Sequence, residues 1–476
     1  MRRTKIVATL GPASSGAETM RAMLEAGVNV VRLNFSHGTH ESHAEMISLF
    51  RCVRDGMGLA AAVMLDTKGP EIRIGLLEGG QALLETGAQF SLTTEKITGN
   101  ARQAYVSYSE LPGQVSEGTR LLIDDGRITL RVLRAAGTSI ECEVETGGLL
   151  RDRKGVNIPG TRLEMPYLSE ADKDDLLFGI EHDVDFVAAS FVRRREDVIA
   201  LRKFLDYNGG HSIKIISKIE NLEGIESFGE ILAVSDGIMV ARGDMGVEVE
   251  YERLPGLQKK FIKACYSAGK MAITATQMLE SMVGSPNPTR AEITDVANAV
   301  FDGTSAVMLS SESAMGQYPV RAVEVMAKIA RQAEKDAFAQ EAYRDIRYYI
   351  DAEDTTNAIC DAACTTARDI RARAIIAVTK SGTTARRMSK FRPEIPVAAA
   401  TPLEKTFHQL ALSWGVYPVK ARLQSSTDDL FLHAIDCAKQ IDLAEDGDTV
   451  VITGGVPLGT TGTTNILKVQ VVGERN

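Results

Sequence analysis

The 476-residue sequence has only six cysteines, Cys52, Cys142, Cys265, Cys360, Cys364 and Cys437, scattered and without a CxxC pair. That argues against a disulfide scaffold or a thiolate zinc site and for small buried hydrophobes in a reducing compartment. Long apolar runs are missing too. The longest are strand-length, short of the ~20 residues a membrane span needs. Positive charge is in deficit, with 54 Lys and Arg against 63 Asp and Glu, a net charge of −9. No global basic field therefore favours nucleic acid or an anionic membrane, and any phosphate site must be a local cluster of Arg and Lys. The N-terminal MRRTKIVATLGPASS holds only a short apolar run before Gly11-Pro12, which predicts a first strand and not a signal peptide. A cytoplasmic protein is expected. No Ser-His-Asp arrangement, dinucleotide fingerprint, low-complexity segment or long internal repeat stands out.

What is present is a rhythm of short apolar strands and amphipathic helices. At this length two to four domains are expected. Strands are predicted at Lys5–Leu10, Asn29–Asn34, Ala60–Leu65, Asp185–Val192, Ile213–Glu220, Gly237–Asp244, Met271–Thr276 and Ala306–Ser310, each followed by a helix. Eight βα units predict an α/β fold built on a TIM (β/α)8 barrel, with a doubly wound open sheet as the alternative. Between Pro70 and Pro166 the rhythm changes to β segments separated by turns such as Asp124-Asp125-Gly126. This predicts a small β-barrel domain inserted after strand three. From about Tyr343 a C-terminal α/β domain follows. The expected division is 1–69 and 167–345 for the barrel, 70–166 for the insert and 346–476 for the last domain.

The stretch Ile213–Gly246 carries the first chemical signal. Alternation along a strand puts Lys218 and Glu220 on one face. A βαβ connection then lays the next strand end, with Asp244, beside them. Two carboxylates suit a hard divalent cation and the lysine suits a phosphoryl group; a plain salt bridge between strand ends is the simpler alternative. Other predicted strand ends are also polar: Arg32, Asn34 and Ser36, then Asp66 and Thr67, then Arg242 and Gly243, then Thr274, Thr276 and Gln277. Oxygen ligands dominate and no His/Cys cluster suggests zinc. Catalytic residues of TIM barrels sit at this rim. The reading is metal-assisted chemistry on a phosphorylated small molecule.

Five blocks then carry a resemblance: Asn34-Phe35-Ser36-His37-Gly38, Asp66 to Arg73, Ser217 to Asn221, Met239 to Asp244 and Thr274 to Met282. In this order they resemble the signature blocks of the pyruvate kinase family, over essentially the whole chain. The resemblance implies transfer of the phosphoryl group of phosphoenolpyruvate to ADP, giving pyruvate and ATP in the last step of glycolysis. It implies Glu220 and Asp244 as ligands of Mg²⁺ or Mn²⁺, and Asn34, Ser36, Asp66 and Thr67 as ligands of K⁺. Lys218 and Arg32 are implied at the transferred phosphoryl group. Thr276, with the N–H groups of Gly243 and Asp244, is implied beside the enolate and carboxylate, and His37, Arg73 and Lys154 at the nucleotide. Glu71 stands where K⁺-independent members carry Lys, so dependence on K⁺ is expected. The insert is expected to close as a lid. A sugar-phosphate effector is expected at Thr379-Lys380-Ser381-Gly382-Thr383-Thr384, which follows a strand and opens a helix. The second effector loop, Gly454 to Asn465, lacks the Trp and Arg of animal members, so a sugar monophosphate, a bisphosphate or AMP stays open. A homotetramer is implied. A metal-dependent barrel aldolase or lyase and a non-catalytic metabolite sensor are the rival readings; the insert and last domain disfavour the first, the intact Lys218, Glu220, Asp244 and Thr276 the second.

Overall fold

The structure is a computed structural model that describes residues 1–343, 354–458 and 464–474. Eight parallel strands close into a barrel: β1 (Lys5–Thr9), β2 (Val30–Asn34), β3 (Ala62–Asp66), β4 (Phe186–Ala189), β5 (Lys214–Ile219), β6 (Gly237–Ala241), β7 (Met271–Ala275) and β8 (Ala306–Leu309). Around the ring the order is β1-β8-β7-β6-β5-β4-β3-β2. The open-sheet alternative is thereby excluded.

The strands are apolar almost throughout because both their faces are buried. One parity points inward, where Val7, Val30, Met64, Phe186, Ala188, Ile216, Met239, Ile273 and Met308 fill the barrel. The other parity, including Ile6, Leu33, Leu65, Val187, Ile219 and Val240, packs against the surrounding helices. Six of the strands end earlier than expected, β4 by three residues, and the ends of β6 and β7 shape the rim most. β6 stops at Ala241 and the chain turns directly into the helix Arg242–Glu248. β7 stops at Ala275, followed by Thr276 and Gln277 with positive φ of 65° and 53°.

The segment between β3 and β4 is all-β around its own core, which includes Ile74, Phe90, Leu121, Leu130 and Val144. Six strands pair in the order Val156–Asn157, Arg120–Ile123, Ile128–Ala136, Ser139–Thr146, Gln89–Thr93, Gln103–Tyr105. Single bridges Arg73–Gly155 and Ile74–Val106 tie one segment to the residues flanking both edge strands, which draws the sheet round on itself. Gln81–Leu84 and Gly148–Arg151 add a two-stranded ladder.

A third unit holds β9 (Ala374–Val378), β10 (Val397–Thr401), β11 (Val416–Lys420), β12 (Thr449–Gly454) and β13 (Ile466–Val471), in the order β11-β10-β9-β12-β13. Only β13 runs antiparallel. This unit docks on the N-terminal ends of the barrel strands. Lys5 Nζ donates to the Val416 carbonyl at 2.6 Å, Arg392 to the Gly303 carbonyl at 2.8 Å, and Gln409 to the Asp185 and Ser212 carbonyls. The expected boundary at 345/346 lies outside the described residues.

Candidate active site

The inward parity of each strand runs on past its apolar part into polar residues at the C-terminal rim. Val30 gives way to Arg32, Met64 to Asp66, Ala188 to Ser190 and Ile216 to Lys218 and Glu220. A barrel interior narrow enough to be filled by side chains brings these groups together.

Lys218 Nζ lies 2.7 Å from Ser190 Oγ, 3.1 Å from Asp66 Oδ1 and 3.0 Å from Glu220 Oε1. Arg32 Nε meets Asp66 Oδ2 at 2.5 Å, and its Nη1 donates to Thr9 Oγ1 at 3.0 Å. All these side chains are buried. Burial alone would raise the Asp66 carboxyl, but Arg32 and Lys218 outweigh it and hold Asp66 below the usual carboxylate range. Burial would likewise lower the Lys218 ammonium, and Asp66 and Glu220 more than reverse that. Lys218 is a firmly protonated cation.

Glu220 behaves differently. Burial, joined by repulsion from Asp244, pushes it up to about 7 against the pull of Lys218. Asp244 is raised by burial as well, and the two carboxyls lie within hydrogen-bonding reach of each other. A buried Glu220 and a half-buried Asp244, both raised chiefly by burial and close to each other, fit a divalent cation. No group of three or more His, Cys, Asp or Glu suited to a metal occurs among the described residues. A cation held by Glu220 and Asp244 would take its other ligands from water and substrate oxygens, a usual arrangement for Mg²⁺.

Asn34 stands opposite Asp66 in the β2–β3 register, and its Oδ1 accepts the Ser36 N–H at 3.1 Å. Thr67 accepts the Ser190 N–H and gives its carbonyl to Ser190 Oγ at 2.6 Å. Asn34, Asp66 and Thr67 thus stand together at the ends of β2 and β3, with one carboxylate among them. Across the rim, Thr276 Oγ1 donates to the Ala275 carbonyl at 2.6 Å and accepts the Gly243 N–H at 2.9 Å. That N–H was expected to face a substrate carboxylate, so part of its capacity is already taken. Arg242, a polar residue of the predicted rim, points elsewhere. It binds Asp295 at 2.7 Å and the Thr276 carbonyl at 2.6 Å, and so clamps the strained Thr276–Gln277 turn.

A cleft of about 660 Å³ separates the rim from the inserted β unit. His37, Arg73, Lys154, Glu71 and Asp244 all line it. Arg73 pairs with Glu71 at 2.6 Å, and Lys154 with Asp124 at 2.6 Å. Burial raises the Glu71 carboxyl against the pull of Arg73. Far below, Thr379, Lys380, Ser381, Thr383 and Thr384 line a second cavity of about 150 Å³. Gly382 forms its turn with φ of 81°, and an added Cβ would come within 2.6 Å of Arg386. The companion loop lies partly outside the described residues, at 459–463.

Two contributors were missed by the sequence reading. Ser190 bridges Lys218, Asp66 and Thr67, and Phe191 donates its N–H to Glu220 Oε2 at 2.7 Å from a backbone with φ of 52°. Parity from Phe186 and Ala188 was the signal for Ser190, but a lone serine between alanine and phenylalanine carries no charge to draw notice.

A (β/α)8 barrel whose rim gathers a buried lysine, an arginine and a carboxylate pair under an all-β cover defines a barrel enzyme equipped for metal-assisted work on a phosphorylated anion. Comparison with known proteins narrows this class. The family description "Pyruvate kinase, barrel domain" matches residues 1–323 and "Pyruvate kinase, alpha/beta domain" matches residues 357–470. A pyruvate kinase of Clostridium acetobutylicum is 47% identical over 99% of this chain and 100% of its own length. One from Staphylococcus haemolyticus is 45% identical over 100% of this chain and 81% of its own. The chain belongs to the pyruvate kinase family.

Proposed function

We propose that the rim site moves the phosphoryl group of phosphoenolpyruvate to ADP, yielding pyruvate and ATP. The observation that carries this reading is Lys218, a charged ammonium fixed by Asp66, Glu220 and Ser190 beside a carboxylate pair suited to Mg²⁺. Phosphoryl transfer needs positioning and charge neutralisation more than covalent help. Lys218 and Arg32 neutralise the phosphoryl oxygens in transit. Asp66 holds both cations in place, and its lowered pKa keeps it ionised for that task. Glu220 and Asp244 hold Mg²⁺ or Mn²⁺, which when bound screens the phosphoryl and enolate oxygens. Asn34, Ser36, Asp66 and Thr67 hold K⁺. Thr276 orients the substrate carboxylate with Gly243 and Asp244, and stands beside the carbon that takes a proton. His37, Arg73 and Lys154 meet the nucleotide in the cleft.

The finer reading extends to regulation and assembly. The Thr379–Thr384 cavity takes a sugar phosphate, the chain assembles as a homotetramer, and it works in the cytoplasm. Similarity to full-length bacterial pyruvate kinases supports this; no helix among the described residues is long and apolar enough to cross a membrane.

The test is steady-state pyruvate formation with Mg²⁺, with K⁺ or a large organic cation, and with a panel of sugar phosphates and AMP. Lys218→Met is expected to lower kcat about 10²–10³-fold, the usual effect of removing one transition-state charge contact. Unchanged turnover in that variant would remove Lys218 from the reaction.

A further inference from the structure

At the opposite end of the barrel a cleft of about 350 Å³ lies between the strand floor and the helix Thr383–Lys390. Four cations line it: Lys214 and Lys270 from the barrel, Arg386 and Arg387 from the helix. Asp236 is its one acidic lining residue. Asp236 is already used, since its Oδ1 takes Lys214 at 2.9 Å and its Oδ2 takes the Ile215 N–H at 2.9 Å. Arg387 reaches Asp354 at 3.3 Å. Lys270 and Arg386 rest on carbonyls instead, Lys270 on Leu232 and Ala233 and Arg386 on Ser381. Neither has an ion-pair partner among the described residues.

Carbonyl dipoles satisfy N–H groups without neutralising charge. Burial lowers the pKa of both Lys270 and Arg386, against the pull of Asp236. A cavity walled by four cations and one engaged carboxylate is short of negative charge. Paired guanidinium forks match the tetrahedral face of a phosphoryl group, and a dianion would answer the two cations that make no ion pair of their own.

We propose that this floor cleft binds a phosphoryl-bearing metabolite through Lys270, Arg386 and Arg387, with Lys214 at its edge. It is separate from the Thr379–Thr384 cavity, with which it shares Thr383 as a common wall. Because its cations come from two units, the occupant ties the C-terminal unit to the barrel. The tie reaches β5 at Lys214, four residues before Lys218 on the same strand. None of this depends on which reaction the rim performs.

Inorganic phosphate is the probe, titrated into the full-length protein at constant ionic strength with thermal midpoint as readout. The midpoint is expected to rise with phosphate. Lys270→Gln and Arg387→Gln should each raise the half-saturating concentration about tenfold or more, as loss of a charge-assisted hydrogen bond does. Lys380→Ala, confined to the neighbouring cavity, should leave that concentration unchanged. Measured in a Lys380→Ala background that disables the neighbouring cavity, a half-saturating concentration left unchanged by both cleft variants overturns the proposal, as does loss of the response in Lys380→Ala alone. An equal response to malonate overturns the phosphoryl assignment. Should Lys270→Gln fail to fold, Lys214→Gln and a phosphate soak of crystals replace it; density elsewhere and an empty cleft would refute the site.

Discussion

Lys218 shows how a single residue can be both costly and necessary. A buried ammonium is tolerated only where charges and hydrogen bonds replace water, and here Asp66, Glu220 and Ser190 do so. Ser190 supplies the shortest of these contacts, so Ser190→Ala should leave the ammonium less well aimed. About 1 kcal/mol of lost hydrogen bonding predicts a roughly fivefold to tenfold fall in kcat, with KM for phosphoenolpyruvate changing less. Kinetics equal to the parent would show that Ser190 does not position the lysine. Glu71 offers a sharper residue-level test. If its carboxylate goes with K⁺ dependence, Glu71→Lys should sustain turnover when K⁺ is replaced by a large organic cation, while the parent loses most of its activity. Arg73 would lose its 2.6 Å partner, so KM for ADP should shift in the same variant. Continued need for K⁺ in Glu71→Lys would sever the link.

Among the elements, β4 joins the two ends of the barrel. Its upper end leads into Ser190 and Phe191, and its lower end is preceded by Asp185. Asp185 accepts the Val63 N–H at 2.8 Å and lies 3.6 Å from Lys405 of the docked C-terminal unit. Burial pushes this carboxyl up to about 6, against Lys405. Its folded pKa is above the unfolded value, so the folded state binds its proton more tightly. The stability this contributes is complete below about pH 4 and is lost as pH rises through 6. Asp185→Asn keeps an acceptor for Val63 and removes the titration. Guanidinium unfolding should show a decline of about 2–3 kcal/mol between pH 4 and 7 in the parent relative to the variant. Parallel curves for the two proteins would show that Asp185 titrates normally.

For the molecule as a whole, the cleft between rim and insert matters most. The expected hinges of the insert are Gly69-Pro70 and Pro166, between β3 and β4. Gly69 has φ of 73°, and a Cβ there would meet the Ser190 carbonyl at 2.8 Å. The entry is therefore held against β4 by a residue that must be glycine. Charged groups on both cleft walls and about 660 Å³ of space suit a cover that closes over nucleotide and excludes water. Protease cleavage near these hinges is expected to slow markedly when ADP, phosphoenolpyruvate and Mg²⁺ are all present. Equal cleavage with and without them would rule out closure of the insert.

By itself the sequence determined the eight βα units, the inserted β segment, the last α/β unit and most of the charged rim. Those features are local: strand parity, turn residues and unbroken motif blocks survive without knowledge of the partner strands. Tertiary structure decided what the rim residues do to one another. Lys218 and Asp66 lie 152 positions apart on strands that are not neighbours, and only closure of the barrel turns both inward to meet. The same closure recruits Ser190, which has no charge to announce it. It also sends Arg242 outward, because β6 ends one residue before it and the helix redirects its side chain to Asp295. The floor cleft belongs wholly to this second category. Its four cations come from separate segments, and only docking of the C-terminal unit on the barrel gathers their charge in one place.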